Sequence, residues 1–415
     1  MWILVGTSLQ TSAFHVPHLI VGRIITGVGT GMESSTVPTY QSETCPSSLR
    51  GRLVSAEVLF VGIGIAVAYW FNYGMSFVDG SVAWRLPIAM QNAIAVSVVV
   101  LVFALPESPR WLFNHNRKTE AVQVLCDVYD KRPDQESIVA EVNAIERALE
   151  IESETERSFF SVFKNDKLRT RYRVILAWLM QFMNQISGIN LIVYYMPTVL
   201  EVNVGMSPGL SRILGGCINL QFAIGSLLPT FALDRMGRRK TMIWGCCGLG
   251  FCMAMVSGLT SQSDQGETVR GSNFASASVA FFFLYMLIYG ATVNCVPWVY
   301  VPELLPLNAR TQGTAIAVSS NWLWNFTVGM ITPILISRLG WKAYLIFTAT
   351  NAVFVPLVYF LYPETSNVRL EDVDAIFKDG RDPVPVAREM ARGAKTGILG
   401  PQEEPKPTIG VVEVA

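Results

Sequence analysis

Charged residues are scarce in this chain. Asp, Glu, Lys and Arg make up 15% of its 415 residues, whereas about 25% is usual in soluble domains. The 32 basic and 32 acidic residues balance, so there is no basic excess of the kind that binds nucleic acid. Hydrophobic residues make up 51%, and the mean hydropathy is +0.37. This composition predicts a polytopic protein of the lipid bilayer and argues against a nucleic-acid partner.

Residues suited to metal binding or covalent catalysis are also few. The three histidines, at positions 15, 18 and 115, have no metal-ligand spacing. The seven cysteines form no C-x-x-C pair, and five of them lie in apolar runs as small packing residues. Without a Cys/His pair, a metal cluster or a phosphate-binding loop, the sequence predicts no enzyme, no metal site and no cofactor.

Long apolar runs dominate what is present. A membrane-spanning helix needs about 20 mostly apolar residues, so we expect an all-α protein. The candidate segments are 2–14, 18–40, 53–73, 85–105, 174–200, 210–233, 241–260, 275–301, 312–337 and 342–362. Basic residues set the orientation, because loops rich in Lys and Arg stay in the cytosol. That rule predicts cytosolic positions for the tail and for loops 41–52, 107–173, 234–240 and 302–311.

The long loop divides the chain. Apolar residues recur at helical spacing within its charged middle, which predicts amphipathic helices on the cytosolic face. Residues 379–415 are rich in Pro, Gly and charge, which predicts disorder. We expect four regions: a first half-bundle at 1–105, a cytosolic loop at 106–173, a second half-bundle at 174–362, and a mostly disordered tail at 363–415.

An internal repeat relates the two half-bundles. The pattern E-x2-P-x3-R occurs at Glu43–Arg50 and again at Glu303–Arg310, and a Pro-Glu pair at 106–107 recurs at 363–364. Matched halves are typical of secondary transporters, which hold substrate between them. The pattern follows the fourth span of the second half but only the second span of the first half. We therefore expect that two spans are absent from the first half, leaving about ten of twelve.

A polar cassette interrupts one apolar run. Residues 181–195 read QFMNQISGINLIVYY. Amide side chains are costly in hydrocarbon, so they are kept in a span when they face other helices or a wet cavity. Gly188 also softens the helix at this point. The cassette is thus the candidate ligand-contacting element.

The order of motifs resembles the sugar porter family of the major facilitator superfamily, especially its fungal members. The motifs are Gly22-Arg23, Pro38 to Arg50, PESPRWL at 106–112, SGIN at 187–190 with Tyr194-Tyr195, DRMGRR at 234–239, Val296-Pro297-Trp298, Asn321-Trp322 with Asn325, and PET at 363–365. The resemblance implies a major facilitator fold of two pseudo-symmetric helical bundles. It also implies transport of a sugar or polyol by alternating access.

The resemblance assigns roles to individual residues. Its substrate-binding residues match Gln185, Asn190, Asn184, Asn219, Trp298, Trp322 and Asn325, and its outer gate matches Tyr194 and Tyr195. Amides offer donors and acceptors to hydroxyls, and an indole face packs on a sugar ring. Hydrogen bonding between helices is the alternative for the amides, and anchoring at the membrane interface is the alternative for the tyrosines.

Two positions depart from the family. Asn184 stands where a glutamine is usual, and Val58 stands where the family has a ligand-binding glutamine. At these two positions the side chain is therefore too short, or unable, to offer a substrate the amide that the family offers. A hexose is not assured, and pentoses, polyols and disaccharides remain open.

Charges within the predicted spans raise the question of proton coupling. Glu33 and Glu57 are carboxylates inside apolar runs, where such groups bind a proton or find a partner. Arg23 matches an arginine of the proton-coupled members. For Glu57, pairing with the cytosolic Arg52 is the alternative, and coupling stays open.

Cytosolic charges match the family's ion-pair network between the halves. They are Glu43, Arg50, Glu107, Arg110, Asp234, Arg235, Arg238, Arg239, Glu303, Arg310 and Glu364. Pairs that form in one state and break in the other can bias alternating access, so we expect a cytosolic gate here.

The prediction that fits these features best is a membrane carrier for a sugar or polyol, expected in the plasma membrane. Proton symport is one mechanism open to it. A sensor that binds sugar without moving it, or an inactive truncated carrier, are the alternatives.

Overall fold

The computed structural model describes residues 1–45, 50–154, 162–163, 166–263, 269–306, 309–366, 370–378 and 382–396. Their long regular elements are α1 (Trp2–Thr11), α2 (Val16–Thr44), α3 (Arg50–Met75), α4 (Val82–Val102), α5 (Pro109–Asn114), α6 (Lys118–Tyr129), α7 (Glu136–Glu154), α8 (Thr170–Ile186), α9 (Ile189–Val204), α10 (Pro208–Met236), α11 (Arg238–Ser263), α12 (Val269–Ala291), α13 (Cys295–Leu304), α14 (Arg310–Leu339), α15 (Lys342–Leu361), α16 (Leu370–Lys378) and α17 (Pro383–Thr396). The predicted all-α class is confirmed.

Every predicted span forms helix. Within the described residues, seven segments are long and apolar enough to cross a membrane: α3, α4, α8 with α9, α10, α11, α12 with α13, and α15. Helices α2 and α14 are long enough, at 29 and 30 residues, but they carry more polar side chains. Helix α1 has 10 residues. It packs along α2 and α4, while α14 packs along α8 and α9.

Two of the spans are each built from two helices joined at a break. Gly188 separates α8 from α9 with φ of +107°, a backbone conformation that favours glycine. A Cβ at this position would lie 2.9 Å from both Met253 and Phe347. The second break is the turn at 292–294 between α12 and α13. These breaks place main-chain polar groups inside the bundle.

The variant Gly188→Ala is expected to lower the free energy of unfolding by about 1–3 kcal/mol, because an L residue is strained at this φ and its Cβ meets Phe347. Thermal unfolding of the purified protein measures the loss. Gly258→Ala on α11 is the matched control, since nothing lies within 4 Å of a Cβ added there. Equal melting temperatures for the two variants would contradict the prediction.

The two halves meet along α3. This helix of the first half (α1–α4) packs against α10 of the second half (α8–α15). Tyr69 and Trp70 lie on the glycines at 215 and 216, and Phe222 lies on Gly62. Small residues let helix backbones approach closely in a membrane. Helix α3 also contacts α13, which is the second helix of the broken α12–α13 span.

The predicted cytosolic segments contain helices of their own. Helices α5, α6 and α7 pack around a small core of Leu112, Phe113, Leu125 and Ile138. In the tail, α16 buries Val373, Ile376 and Phe377 against the second half. The sequence predicted disorder for much of this tail, whereas its described residues 370–378 and 383–396 are helical. Residues 397–415 lie outside the described residues.

Candidate substrate-binding site

Gln185 lies at the centre of a group of carboxamides where α8 ends. Its Nε2 donates to Asn184 Oδ1 at 3.0 Å and to Asn321 Oδ1 at 2.6 Å. Its Oε1 accepts from Asn190 Nδ2 at 2.7 Å and from Asn325 Nδ2 at 3.3 Å. Both N–H groups and both lone pairs of the amide are thus occupied. We call these five residues the amide cluster.

The amide cluster has a buried inner end and an open end. Asn184 and Asn321 at the inner end are 2% and 5% exposed, whereas Asn325 is half-buried and the adjoining Tyr194 is 52% exposed. Hydrogen bonds are longer at the open end. Asn325 Nδ2 lies 3.1 Å from Asn190 Oδ1 and 3.3 Å from the Tyr194 hydroxyl, and the hydroxyl lies 3.4 Å from Asn325 Oδ1. Long bonds are weaker, so an entering ligand can replace them.

Neighbouring helices hold the break between α8 and α9. The last carbonyls of a helix have no partner within it. Here the Ser187 carbonyl accepts from the Tyr285 hydroxyl at 3.0 Å and from Asn351 Nδ2 at 2.9 Å. The Ile186 carbonyl accepts from the Thr350 hydroxyl at 3.2 Å. Helices α12 and α15 therefore fix the backbone that presents the amide cluster.

Three predicted ligand residues lie outside the amide cluster. Asn219 on α10 is fully buried, and its Nδ2 donates to the Gly215 carbonyl at 3.0 Å. Its buried Oδ1 has no hydrogen-bond partner among the described residues. Trp298 on α13 packs at the edge of the core, and Trp322 on α14 is 41% exposed. Val58, at the position of the family's glutamine, is 6% exposed and belongs to the core. The ligand roles stay predictions.

The two predicted gate tyrosines both contact α14. Tyr194 pairs with Asn325, and the Tyr195 hydroxyl donates to the Gly329 carbonyl at 3.0 Å. These bonds join α9 to a helix of the same half. Whether the tyrosines also close the outer side of the pocket stays a prediction.

The charged residues of α2 and α3 differ in burial. Arg23 and Glu33 are exposed on α2. Glu57 on α3 is partly buried, and its Oε2 has no hydrogen-bond partner among the described residues. Arg52 is exposed, and within the described part of the chain it forms no ion pair with Glu57. Glu33 and Glu57 are near enough to interact electrostatically.

An ion-pair network lies at the end of the second half predicted to be cytosolic. Arg238 binds Glu303 through two nitrogens, with Nη2 at 2.8 Å and Nε at 3.2 Å. Thr365 donates to Glu303 Oε2 at 2.7 Å. Glu364 accepts from the backbone N–H groups of Arg238 and Arg239 at 2.8 and 3.2 Å, so it caps the start of α11.

The remaining predicted gate residues are less fully described. The side chains of Arg50 and Asp234 lie outside the described residues. Tyr40 donates to the Pro106 carbonyl at 2.8 Å, which brings the segments of Glu43, Glu107 and Arg110 to one end of the first half. The bonds just described around Glu303 lie within the second half, and contact between the halves through this network stays a prediction.

Arg173 was not singled out from the sequence, yet it is one of the largest fully buried side chains. Its Nη1 lies 2.7 Å from Asp374 Oδ1 on α16, and its Nε donates to the Leu304 carbonyl at 2.5 Å. Its guanidinium also lies 4.6 Å from the centre of the Phe377 ring. One arginine thus joins α8, α13 and α16.

Comparison with known proteins gives one consistent result. Residues 1–377 match the protein family described as Sugar (and other) transporter. The chain is 40% identical over 376 residues to the MFS-type transporter oryC of Aspergillus oryzae, covering 90% of this chain and 70% of that protein. It is 32% identical over 397 residues to Sugar transporter STL1 of Saccharomyces cerevisiae, covering 94% and 68%.

The fold has also been seen before. The proton:xylose symporter XylE, solved with bound 6-bromo-6-deoxy-D-glucose, superposes with a TM-score of 0.75 at 22% identity, covering 91% of this chain and 81% of that one. This likeness confirms the predicted major facilitator fold.

Proposed function

Because this chain belongs to the sugar transporter family, we propose that it carries a sugar or sugar alcohol across a membrane by alternating access, with the amide cluster as its binding surface. Family membership makes the chain a multi-pass membrane transporter and not an enzyme. The choice of substrate and the roles of single residues belong to the proposal.

The observation that carries the proposal is the hydrogen bonding of the amide cluster. Five carboxamides from three helices satisfy one another inside an apolar bundle. A hydroxyl group can both donate and accept, so it can take the place of an amide in such a network. Exchanging one hydrogen bond for another has a small net cost, whereas an unsatisfied buried amide is expensive. A polyhydroxylated ligand can therefore enter without leaving orphaned groups.

The open end of the cluster is the proposed contact surface. Asn325 and Tyr194 hold the longest hydrogen bonds and the greatest exposure, so the substrate displaces those bonds first and reaches the Oδ1 of Asn190 behind them. Gln185 lies directly behind them. The free Oδ1 of Asn219 offers a further acceptor.

The indoles of Trp298 and Trp322 supply apolar faces for the substrate. The C–H groups of a sugar ring pack on an aromatic face, and the exposed side of Trp322 is available for such a contact. An apolar wall opposite a polar wall is the common design of small-molecule sites.

The network around Glu303 is proposed as part of the cytosolic gate. Its paired charges lie on α11, α13 and the segment after α15, so it ties together helices that move when the gate opens. In this orientation the long loop and the tail face the cytosol, and the plasma membrane is the proposed location.

Proton coupling is proposed to involve Glu57 and the neighbouring Glu33, together with Arg23, which lies earlier on α2. The buried Oε2 of Glu57 lacks a hydrogen-bond partner within the described residues, so the carboxyl group is available to bind a proton. The variant Glu57→Gln, which cannot titrate, is expected to make uptake independent of pH between acidic and neutral buffer. Asp79→Asn is the control. Asp79 is exposed in the turn between α3 and α4, so this variant should keep the wild-type profile. A wild-type pH profile for Glu57→Gln would contradict the role.

Uptake into cells that lack their own sugar carriers tests the function. Labelled D-glucose, D-xylose, D-mannitol and glycerol are the probes, each offered at acidic and neutral pH. Uptake of at least one probe above the level of cells without the chain is expected. Binding to the purified protein without uptake would favour a sensor, and the absence of both binding and uptake would overturn the proposal.

A further inference from the structure

Asn184 differs from the other members of the amide cluster in its partners. Its Oδ1 accepts from Gln185 Nε2 at 3.0 Å and from the Tyr289 hydroxyl at 3.0 Å. Its Nδ2 donates to the Val293 carbonyl at 2.9 Å. Three of the four hydrogen-bonding positions of this amide are therefore filled by the protein. With 2% exposure, Asn184 has little surface to offer a ligand.

These partners belong to the second helix break. Val293 lies in the turn between α12 and α13, where a carbonyl has no helical partner. Tyr289 is in the last two turns of α12, and its ring stacks on Phe222 and on Tyr285 at centroid distances of 5.8 and 6.3 Å. Ring packing on both neighbours fixes the direction in which the Tyr289 hydroxyl points.

Two tyrosines one helical turn apart therefore hold the cassette. Tyr285 donates to the Ser187 carbonyl and Tyr289 donates to Asn184. Positions i and i+4 lie on the same face of a helix, so α12 grips the α8–α9 break at two points.

We propose that Asn184 is a positioning residue: with Tyr289 and the Val293 carbonyl it locks the α8–α9 break to the α12–α13 break, and it thereby orients Gln185 without contacting the substrate. This inference rests on the proposed function of the amide cluster. It replaces the ligand role that the family resemblance implied for Asn184.

The contact between the two helix breaks, here called the lock, is also linked to the first half of the protein. Cys295, two residues after Val293, has its Sγ 3.1 Å from the Ser55 Oγ of α3. A change in the amide cluster on substrate binding therefore reaches the interface between the halves through one short turn. Alternating access requires such a link between occupancy and the packing of the halves.

The variants Asn184→Ala and Tyr289→Phe test the lock. Each removes part of the same contact, so each is expected to lower apparent affinity for every transported probe by a similar factor, about fivefold to thirtyfold. The double variant is expected to lose no more affinity than the single variant with the larger loss, because the effects of substitutions at contacting residues are not additive. Tyr344→Phe is the matched control, since its buried hydroxyl accepts from Asn203 on α9 away from the cluster.

Two readouts decide the outcome. Hydrogen–deuterium exchange without substrate should be faster at residues 291–295 in Asn184→Ala and Tyr289→Phe, and unchanged there in Tyr344→Phe. Unchanged exchange in Tyr289→Phe would overturn the lock whatever the uptake. Wild-type affinity in Tyr289→Phe would overturn the positioning role. A loss of affinity in Asn184→Ala for one probe alone would also overturn it, and would indicate that Asn184 contacts the substrate directly. If the wild-type chain takes up no probe, the proposed function fails, and exchange alone decides whether the breaks are joined.

Discussion

Replacing Gln185 by alanine is expected to weaken sugar binding about a hundredfold. The amide holds four other carboxamides in place, and its loss leaves Asn321 Oδ1 without its donor and Asn190 Nδ2 without its acceptor. Each buried polar group left unsatisfied costs about 1–3 kcal/mol, and two such losses correspond to about two powers of ten in affinity. In the free variant the remaining amides can bond to one another, whereas a bound sugar holds them apart and leaves these two groups unpaired, so the penalty falls on the affinity.

Initial uptake rates as a function of sugar concentration measure this effect. A higher KM is expected, because the interaction is made with the bound sugar before the protein changes state. Asn203→Ala is the matched control: it also removes an amide, this time from α9, where Nδ2 donates to the Tyr344 hydroxyl at 2.5 Å. An unchanged KM in Gln185→Ala, with both variants equally abundant in the membrane, would rule out Gln185 as the centre of the site.

Replacing Arg173 by methionine is expected to lower the free energy of unfolding by about 3 kcal/mol. Removing one partner of a buried ion pair costs about 3–5 kcal/mol because the other charge is left without a partner. The lower end applies here, since the Asp374 side chain keeps 29% exposure and can reach water. The Leu304 carbonyl and the face of Phe377 also lose their contact with the guanidinium. Methionine fills similar volume, so the change isolates the charge and the hydrogen bonds.

Thermal unfolding and limited proteolysis measure the second effect. Helix α16 should detach from the second half, so that cleavage near residues 366–382 becomes faster before the bundle unfolds. Arg117→Met is the matched control: its ion pair with Glu120 is about half exposed, and such surface pairs contribute about 0–1 kcal/mol. If both variants unfold at the same temperature and are cleaved alike, Arg173 does not hold the tail helix.

The helical fold could be predicted from the sequence because it depends on local patterns. Apolar length alone marks a membrane helix. Each of the ten segments so marked forms helix, and within the described residues seven of them are long and apolar enough to cross a membrane. Gly188 and the amides beside it indicated the α8–α9 break, since polar groups in an apolar run require a special environment. The turn at 292–294 carries no comparable signal, and the second break was missed.

The contacts within the site could not be predicted, because they join residues far apart in the chain. Asn321 was noticed as part of a motif but not as a partner of Gln185, and Tyr289 read as one aromatic residue among many in an apolar run. Their positions follow from the way α14 packs on α8 and α12 packs on α9, and helix packing determines those crossing angles. The same holds for Arg173, which counted only as a basic loop residue until its contact with Asp374 was seen.

Asn184 illustrates how one methylene bears on the role proposed for a residue. The family resemblance assigned it to the substrate, because a glutamine at this position reaches the ligand. The shorter side chain is instead surrounded by Gln185, Tyr289 and Val293. Whether a side chain reaches into the pocket depends on its neighbours as well as on its own length. A sequence motif does not show which neighbours surround the residue.

An experimental structure of the protein with a transported sugar bound tests the account most directly. We expect sugar hydroxyls within hydrogen-bond distance of Asn190 and Asn325, in place of the long bonds from Asn325 to Gln185 and Tyr194, while the bonds of Asn184 to Tyr289 and Val293 remain. A sugar bound away from the amide cluster, or one held by Asn184 after those two bonds have broken, would contradict it.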